Sequence, residues 1–325
     1  MHQKAIELIQ DASSVIIIQA ENPDGDSLGS SLFLEEVLSE MGKKVTMYCP
    51  VDIPKYMRYF PGWDRVVQQF DTKHDLAIIV DTTSETLISK VLSAPGVRHY
   101  LETHEVLVID HHTQVESTLP FDHTLLLEEG ASTSEVLTRL ADSANWSIPA
   151  QGAEHALGAL LSDTLGLTTQ SVTSDSYEVA ARLTELGAHP SAVEGRRREF
   201  MKKAPEILSY KGRLIERIEY YLDGKLALVN IPFEEIEAYS DQYNPSALVI
   251  DEMRLVEGVE VAIAIKTYPD GKLTGKIRSN IPISSDIAGF FGGGGHPYAA
   301  GFRVYETPEQ VLRELIEATN KALNV

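Results

Sequence analysis

The sequence predicts an α/β protein: a parallel-sheet domain followed by a smaller α+β domain. Three observations carry this reading. Short, almost wholly apolar runs at residues 15–18, 76–80 and 106–109 have the length and composition of strands buried on both faces, the mark of a parallel sheet. Helical periodicity fills the intervals between them, so strand and helix alternate as in βαβ units. Beyond about residue 207 the pattern changes to strands joined by short turns, closed by one amphipathic helix.

Taken in order, residues 2–12 carry Ile6, Leu8 and Ile9 at roughly helical spacing. The first strand, 15–18, leads into Asn22-Pro23-Asp24-Gly25-Asp26. Residues 27–41 are helical in period, with Leu28, Leu32, Leu34 and Leu38 inward and Glu35, Glu36 and Glu40 outward. Gly42 ends that helix, and residues 45–49 form a second strand stopped by Pro50. The strand at 76–80 leads into Asp81-Thr82-Thr83-Ser84, which predicts a cap and a helix to about Leu92. The strand at 106–109 runs directly into Asp110-His111-His112.

Ser132-Thr133-Ser134-Glu135 opens a helix to about Ala144. Residues 150–162 form an apolar helix ending in Ser162-Asp163-Thr164, and a helix from Tyr177 to Leu186 is closed by Gly187. The polar, basic stretch 188–207 holds Pro190 and Pro205 and reads as a linker. The expected domains are therefore 1–187 and 208–325. In the second, residues 226–230, 259–265 and 273–278 are strand-like. Tyr268-Pro269-Asp270-Gly271-Lys272 supplies the turn between the last two, and residues 307–323 form the final helix. The sequence shows no internal repeat and no low-complexity segment.

A chain of 325 residues with 43% hydrophobic residues suits two globular domains. A net charge of −20 argues against a protein that coats long nucleic acid, which carries a basic footprint. The single cysteine, Cys49, forms no internal disulfide and suits a reducing compartment. The first residues lack the pattern of a secretory leader, and no apolar run approaches the ~20 residues that span a bilayer. A cytoplasmic protein with no membrane partner is expected.

The chemistry lies at the strand ends. In an open parallel sheet ligands gather beyond the carboxyl ends of the strands. Three strands here deliver Asp24 and Asp26, Asp81, and Asp110-His111-His112 to one edge. Each alone has a plain structural reading: a solvated Asp-Gly-Asp turn, a helix cap, a capped loop. Together they are a mixed oxygen and nitrogen donor set suited to Mn²⁺, Fe²⁺ or Zn²⁺ rather than Ca²⁺. In the second domain, residues 292–295 are four consecutive glycines followed by His296. Gly293, Gly294 and Gly295 offer backbone N–H groups to an anion. Arg278-Ser279, at a strand end just upstream, could add a bidentate phosphate contact. Arg196-Arg197-Arg198 with Lys202-Lys203 reads as a solvated face.

These motifs, in this order and spacing over nearly the whole chain, resemble the DHH/DHHA1 phosphoesterases. The resemblance is to the group of bacterial nanoRNases, 3′-phosphoadenosine-5′-phosphate phosphatases and cyclic-dinucleotide phosphodiesterases. It implies a DHH domain followed by a DHHA1 domain, with the active site in the interdomain cleft. It implies two Mn²⁺ ions, with Mg²⁺ as an alternative. Asp24 would hold one ion, Asp26 the other, and Asp81 would bridge both, with His111 and Asp163 completing the second site. Asp81 and His112 would be catalytic. His112, Arg278, Ser279, Gly293, Gly294, Gly295 and His296 would hold the substrate phosphates.

The implied substrates are very short RNA, linear or cyclic dinucleotides of the cyclic di-AMP type, or 3′-phosphoadenosine 5′-phosphate. Long nucleic acid is not an expected partner, and a homodimer is left open. The chain departs from the family at Ala20, where a histidine usually ligates the first metal, which implies a weaker first site. Two alternatives stay open: a catalytically weakened nucleotide-binding or sensor protein, and a polyphosphate or pyrophosphate hydrolase.

Overall fold

The computed structural model describes residues 2–113, 116–240 and 243–324, without the side chain of His296. It divides into two compact units, Met1–Lys202 and Lys203–Val325.

In the first unit the strands are β1 (Ser14–Ile18), β2 (Lys44–Tyr48), β3 (Leu76–Val80), β4 (Glu105–Asp110) and β5 (Thr124–Leu127). The helices are α1 (His2–Asp11), α2 (Gly25–Glu40), α3 (Ser89–Ser93), α4 (Val97–Thr103), α5 (Thr133–Ser143), α6 (Ala150–Asp163), α7 (Ser174–Glu185) and α8 (Pro190–Phe200). All strand pairings are parallel, in the order β2-β1-β3-β4-β5. The two-residue period of each strand divides its side chains between two cores. Val15, Ile17, Ile78, Val80, Leu107 and Ile109 enter the core shared with α2, α5 and α6. Ile16, Ile18, Ala77, Ile79, Val106 and Val108 enter the one shared with α3 and α4. A run of apolar residues with no polar alternation is what this double burial demands. The strand order reverses between β1 and β3, and a crevice opens at such a switch point.

In the second unit the strands are β6 (Glu219–Tyr221), β7 (Leu226–Ile231), β8 (Val261–Thr267), β9 (Leu273–Ser279), β10 (Gly294–His296) and β11 (Ala299–Val304). Its helices are α9 (Pro205–Glu216), α10 (Phe233–Tyr239), α11 (Pro245–Arg254), α12 (Ser284–Phe290) and α13 (Pro308–Leu323). The sheet order is β10-β11-β9-β8-β7-β6; only β7 and β8 pair in parallel. This is the smaller α+β unit expected from the sequence. No helix among the described residues is long and apolar enough to cross a membrane.

Three local readings change. The expected helix after Asp81 is instead a 3₁₀ turn, Thr86–Ile88, and the short α3. Asp81 has φ 63°, a left-handed backbone that cannot cap a helix. The stretch 188–207 is not extended: α8 occupies most of it and buries Val193 in the first unit's core. Pro190 and Pro205 each start a helix, where a missing N–H costs nothing. The strand β5 has four residues and lacks a clear apolar alternation, so periodicity does not reveal it.

Helix α2 carries the first functional motif at its N-terminus and is held there by packing. Residues 25–34 are buried on every side of the helix, not on one stripe, because α2 lies between the sheet and α6. A Cβ on Gly29 would stand 2.7 Å from Ala159 Cβ and 2.9 Å from the His155 carbonyl oxygen. Gly29→Val is therefore expected to destabilise the fold by about 1–3 kcal/mol, the usual cost of overpacking. Urea denaturation checks this; an unchanged midpoint would contradict the close contact.

Candidate metal centre

Each expected residue of the first unit reaches the C-terminal edge of the sheet by a separate local device. Asp24 is the N-cap of α2: its Oδ1 accepts from the N–H groups of Asp26 and Ser27, both at 3.0 Å. That bond turns the chain so that Asp26, one residue into the helix, points inward and is 1% exposed. Asp26 is then held by the N-terminus of α5. Its Oδ2 accepts from Thr133 N at 2.6 Å and its Oδ1 from Ser134 N at 3.2 Å, with Ser30 Oγ also at 3.2 Å. Unpaired backbone donors and a positive helix end suit a carboxylate.

Asp81 follows β3 directly. Its left-handed φ of 63° is uncommon outside glycine and turns the chain sharply at the strand end. Thr133 Oγ1 donates to its Oδ1 at 2.9 Å. Asp110 ends β4 and gathers the next two residues. Its Oδ1 accepts from the N–H of His111 at 2.7 Å and of His112 at 3.1 Å, and pairs with His112 Nδ1 at 2.7 Å.

His111 is the centre of the group. Its Nδ1 faces the Gly130 carbonyl oxygen at 3.0 Å, so Nδ1 carries a proton and Nε2 is the nitrogen that faces the carboxylates. That Nε2 is buried, without a hydrogen-bond partner among the described residues. It lies 3.6 Å from Asp163 Oδ2, 3.7 Å from Asp81 Oδ1 and 4.0 Å from Asp26 Oδ2. A buried ring nitrogen facing three carboxylates is destabilising unless a proton or a metal cation sits among them. The donor set, one imidazole nitrogen and carboxylate oxygens, fits a divalent transition metal. A backbone carbonyl on Nδ1, such as Gly130 provides here, is the kind of outer partner that fixes the tautomer of metal-binding histidines.

The electrostatics record the same crowding. Burial first, then Asp26, Asp24 and Asp110, raise the Asp81 carboxyl well above its ordinary value. Burial raises Asp26, partly offset by His111. Burial, then Asp26, pushes Asp163 up to about 6. The hydrogen bond to Asp110 raises His112, which favours its imidazolium form.

The expected residues are thus treated unequally. Asp26, Asp81, His111 and Asp163 converge. Asp24 is exposed; it raises its neighbours' pKa values but lies outside the groups of mutually close donor atoms. Ala20 is buried and offers only its carbonyl, to Cys49 Sγ at 3.5 Å. Of its neighbours, Glu21 Oε2 is engaged by Ser89 Oγ and Lys90 N. The Gln19 amide is fully buried with both polar atoms unpartnered among the described residues. Thr133, Ser134, Gly130 and the buckle formed by Asp110 were not expected. The only sequence signal for the first two was the cap motif before α5.

The second unit corrects part of the anion-binding reading. Ser279 is 1% exposed and its hydroxyl is spent on Ser284 Oγ at 2.7 Å and the Ile281 carbonyl at 2.6 Å, so it is not a phosphate ligand. Gly293 and Gly295 are required by the sheet: a Cβ on either would stand 2.3 or 2.6 Å from the carbonyl oxygens of Gly301 or Ala299. Gly294 meets nothing within 4 Å. Gly294 and Gly295 lie in the edge strand β10, with Gly293 immediately before it. Arg278 ends β9 half-buried, with its NH1 on the Ile277 carbonyl. The expected role of the His296 imidazole lies outside the described residues.

Comparison with known proteins agrees with the fold and the motifs. The model of the DHH family, N-terminal domain, matches residues 14–162, and that of the DHHA1 domain matches residues 236–324. The chain is 27% identical over 306 residues to the bifunctional oligoribonuclease and PAP phosphatase NrnA of Thermus thermophilus, covering 93% of this chain and 88% of that one. It is 24% identical over 311 residues to the cyclic-di-AMP phosphodiesterase GdpP of Bacillus subtilis, covering 89% of this chain and 45% of that one. A solved exopolyphosphatase-related protein from Bacteroides fragilis superposes with a TM-score of 0.84 at 22% identity, covering 98% and 95% of the two chains.

The raised carboxyls give the metal-free protein a defined pH response. Asp163 titrates at about 6 when folded and near its ordinary 3.8 when unfolded. Above both values it is charged in either state and its burial opposes folding; between them only the folded chain holds the proton. Its destabilising effect is therefore full at pH 7 and fades as pH falls toward 4. In a chelator, Asp163→Asn should melt higher than wild type at pH 7, and the gap should close by pH 4. With Mn²⁺ added at pH 7 the order should reverse. Thermal unfolding across pH, with and without metal, checks this; a constant gap would contradict the crowding.

Proposed function

The chain belongs to the DHH/DHHA1 phosphoesterases, and on that premise we propose that it hydrolyses phosphate esters of small nucleotides. The substrates are very short RNA, linear or cyclic dinucleotides, and 3′-phosphoadenosine 5′-phosphate. The carrying observation is the His111 Nε2, without a hydrogen-bond partner among the described residues, facing the carboxylates of Asp26, Asp81 and Asp163. The names of the relatives support the substrate class: one is an oligoribonuclease and PAP phosphatase, another a cyclic-di-AMP phosphodiesterase.

In this reading Asp26, Asp81, His111 and Asp163 hold one divalent ion, and Asp24 with Asp81 a second. Mn²⁺ suits the mixed donors and Mg²⁺ is the alternative. Such ions supply Lewis acidity toward a phosphoryl oxygen and lower the pKa of bound water. The remaining work falls to the chain. The N–H groups of Thr133 and Ser134 favour the ionised form of Asp26 and aim it. The Thr133 hydroxyl holds Asp81, and the Gly130 carbonyl keeps the His111 proton on Nδ1. His112, fixed by Asp110 through Nδ1 and 55% exposed, presents Nε2–H to a phosphoryl oxygen or a leaving oxygen. In the second unit Arg278 and the open backbone at Gly294 are the proposed phosphate contacts. Gly293 and Gly295 shape the strand that carries them.

Asp81→Asn tests the centre. Asn tolerates the left-handed backbone as Asp does, so the fold should survive, and loss of a buried crowded carboxylate should raise the metal-free melting temperature. Turnover of a linear dinucleotide with Mn²⁺ should fall more than about a hundredfold. Wild-type turnover in this variant would contradict the assignment.

Substrate length is a second test. A net charge of −20 repels long polyanions. Rates on RNA of two to five nucleotides should exceed those on a 20-mer by about tenfold or more at low salt. Equal rates in a size series would contradict the short-substrate reading.

A further inference from the structure

Beside the carboxylate cluster, wholly within the first unit, lies a second cavity of about 630 Å³. Gly25 and Ser162 stand in its wall, and their chain neighbours are Asp24, Asp26 and Asp163. Tyr56, on the turn after β2, also lines it. The cavity and the proposed metal centre therefore share a border. We propose that this cavity takes the nucleobase of the nucleotide whose phosphate ester is hydrolysed, with Tyr56 and Leu165 as its specificity-determining walls. The proposal rests on the phosphoesterase reading above and adds what selects a nucleotide over a bare phosphate.

The chemistry of the walls favours a flat, uncharged heterocycle. Arg197 donates through Nε and NH2 to both oxygens of Glu194, at 2.6 and 3.0 Å, and Arg198 Nε adds a 2.6 Å bond to the same carboxylate. The charged groups of the wall are thus largely spent on one another, which makes a poor phosphate site. What remains is aromatic and aliphatic surface, with the Tyr59 phenol set against the Ser162 hydroxyl as a polar edge. A few polar groups on an apolar lining, in a volume of this size, is the usual form of a small-molecule site. Aromatic side chains hold bases by stacking, whatever the base.

Exposure and strain point the same way. Tyr56 is 59% exposed and Leu165 76%, although both are large and apolar. Leu165 has φ 50° and Leu167 φ 65°, left-handed conformations that are rare for leucine. The turn is locked in that state. Thr164 Oγ1 donates to the Leu160 carbonyl at 2.5 Å and accepts from Leu167 N at 2.9 Å, while Gly166 N reaches the Leu161 carbonyl at 2.8 Å. A backbone over-determined to hold a leucine out in solvent is the pattern of a ligand wall.

The test uses the full chain with Mn²⁺ and two probes, adenosine 5′-monophosphate and ribose 5-phosphate, measured by titration calorimetry. Tyr56→Ala and Leu165→Gly, the second keeping the left-handed backbone, should each weaken adenosine 5′-monophosphate binding by about tenfold. Ribose 5-phosphate binding should be unchanged, and Tyr56→Phe should retain wild-type affinity. Several results would overturn the proposal: no adenosine 5′-monophosphate binding by wild type at millimolar concentration, no loss in either variant, or equal loss for both probes. So would a change in sedimentation of the variants with nucleotide binding intact, since the patch would then be an interface between copies of the chain. If wild type hydrolyses no phosphate ester yet binds the nucleotide through Tyr56, the phosphoesterase reading fails and the base site stands. If hydrolysis is normal and Tyr56 is silent, the base site alone fails.

Discussion

Three carboxylates and the Nε2 of one imidazole crowd together at the edge of a parallel sheet, and the architecture around them follows from that electrostatic constraint. Asp26, Asp81 and Asp163 cannot all be ionised there at low cost without a cation, which is why burial and mutual repulsion raise their carboxyl pKa values. Asp26 and Asp81 follow the ends of the apolar strands β1 and β3, and Asp163 ends α6, so the charge begins where the sheet ends. Packing of α2 against α6 through Gly29 and Ala159 fixes the helix whose first turn holds Asp26. The stability of the core is the means by which an unfavourable charge cluster is held together.

Around that cluster, groups that touch the proposed metal ligands do as much as the ligands themselves. The N-terminus of α5 serves twice, through the Thr133 and Ser134 N–H groups on Asp26 and the Thr133 hydroxyl on Asp81. The Gly130 carbonyl, two residues before the α5 cap, sets the tautomer of His111. One segment, residues 130–134, therefore positions three of the four converging side chains. Asp110 has a different task. It folds the two histidines over itself, leaving His111 to face the carboxylates and His112 to face outward with a raised pKa. The two adjacent imidazoles thereby face different surroundings.

The second unit shows how a glycine run can mislead. Four glycines in sequence suggest a bare anion cradle, yet Gly293 and Gly295 are glycine because β11 passes too close for a side chain. The same spacing leaves Gly294 open. Ser279 is polar, adjacent to Arg278 and at a strand end, but its hydroxyl is spent on the Ile281 carbonyl and Ser284 Oγ. Steric and hydrogen-bond requirements of the sheet account for residues whose types alone suggest binding.

Much of this protein was legible in the chain itself. Uninterrupted apolar runs of four or five residues identify strands buried on both faces, because the two-residue period leaves no side facing water. Helical spacing identifies α2, α5, α6 and α13 by the same local logic, and the acids and histidines at three strand ends mark the site. The tertiary structure decided what local periodicity cannot carry. Asp163 joins the cluster from the far end of α6. Thr133 and Gly130 become partners of residues dozens of positions away. Asp24 turns its carboxylate to cap α2, and Asp81 takes a left-handed backbone in place of opening a helix. Strand and helix are set by neighbours along the chain, whereas convergence depends on which ends the packing brings together.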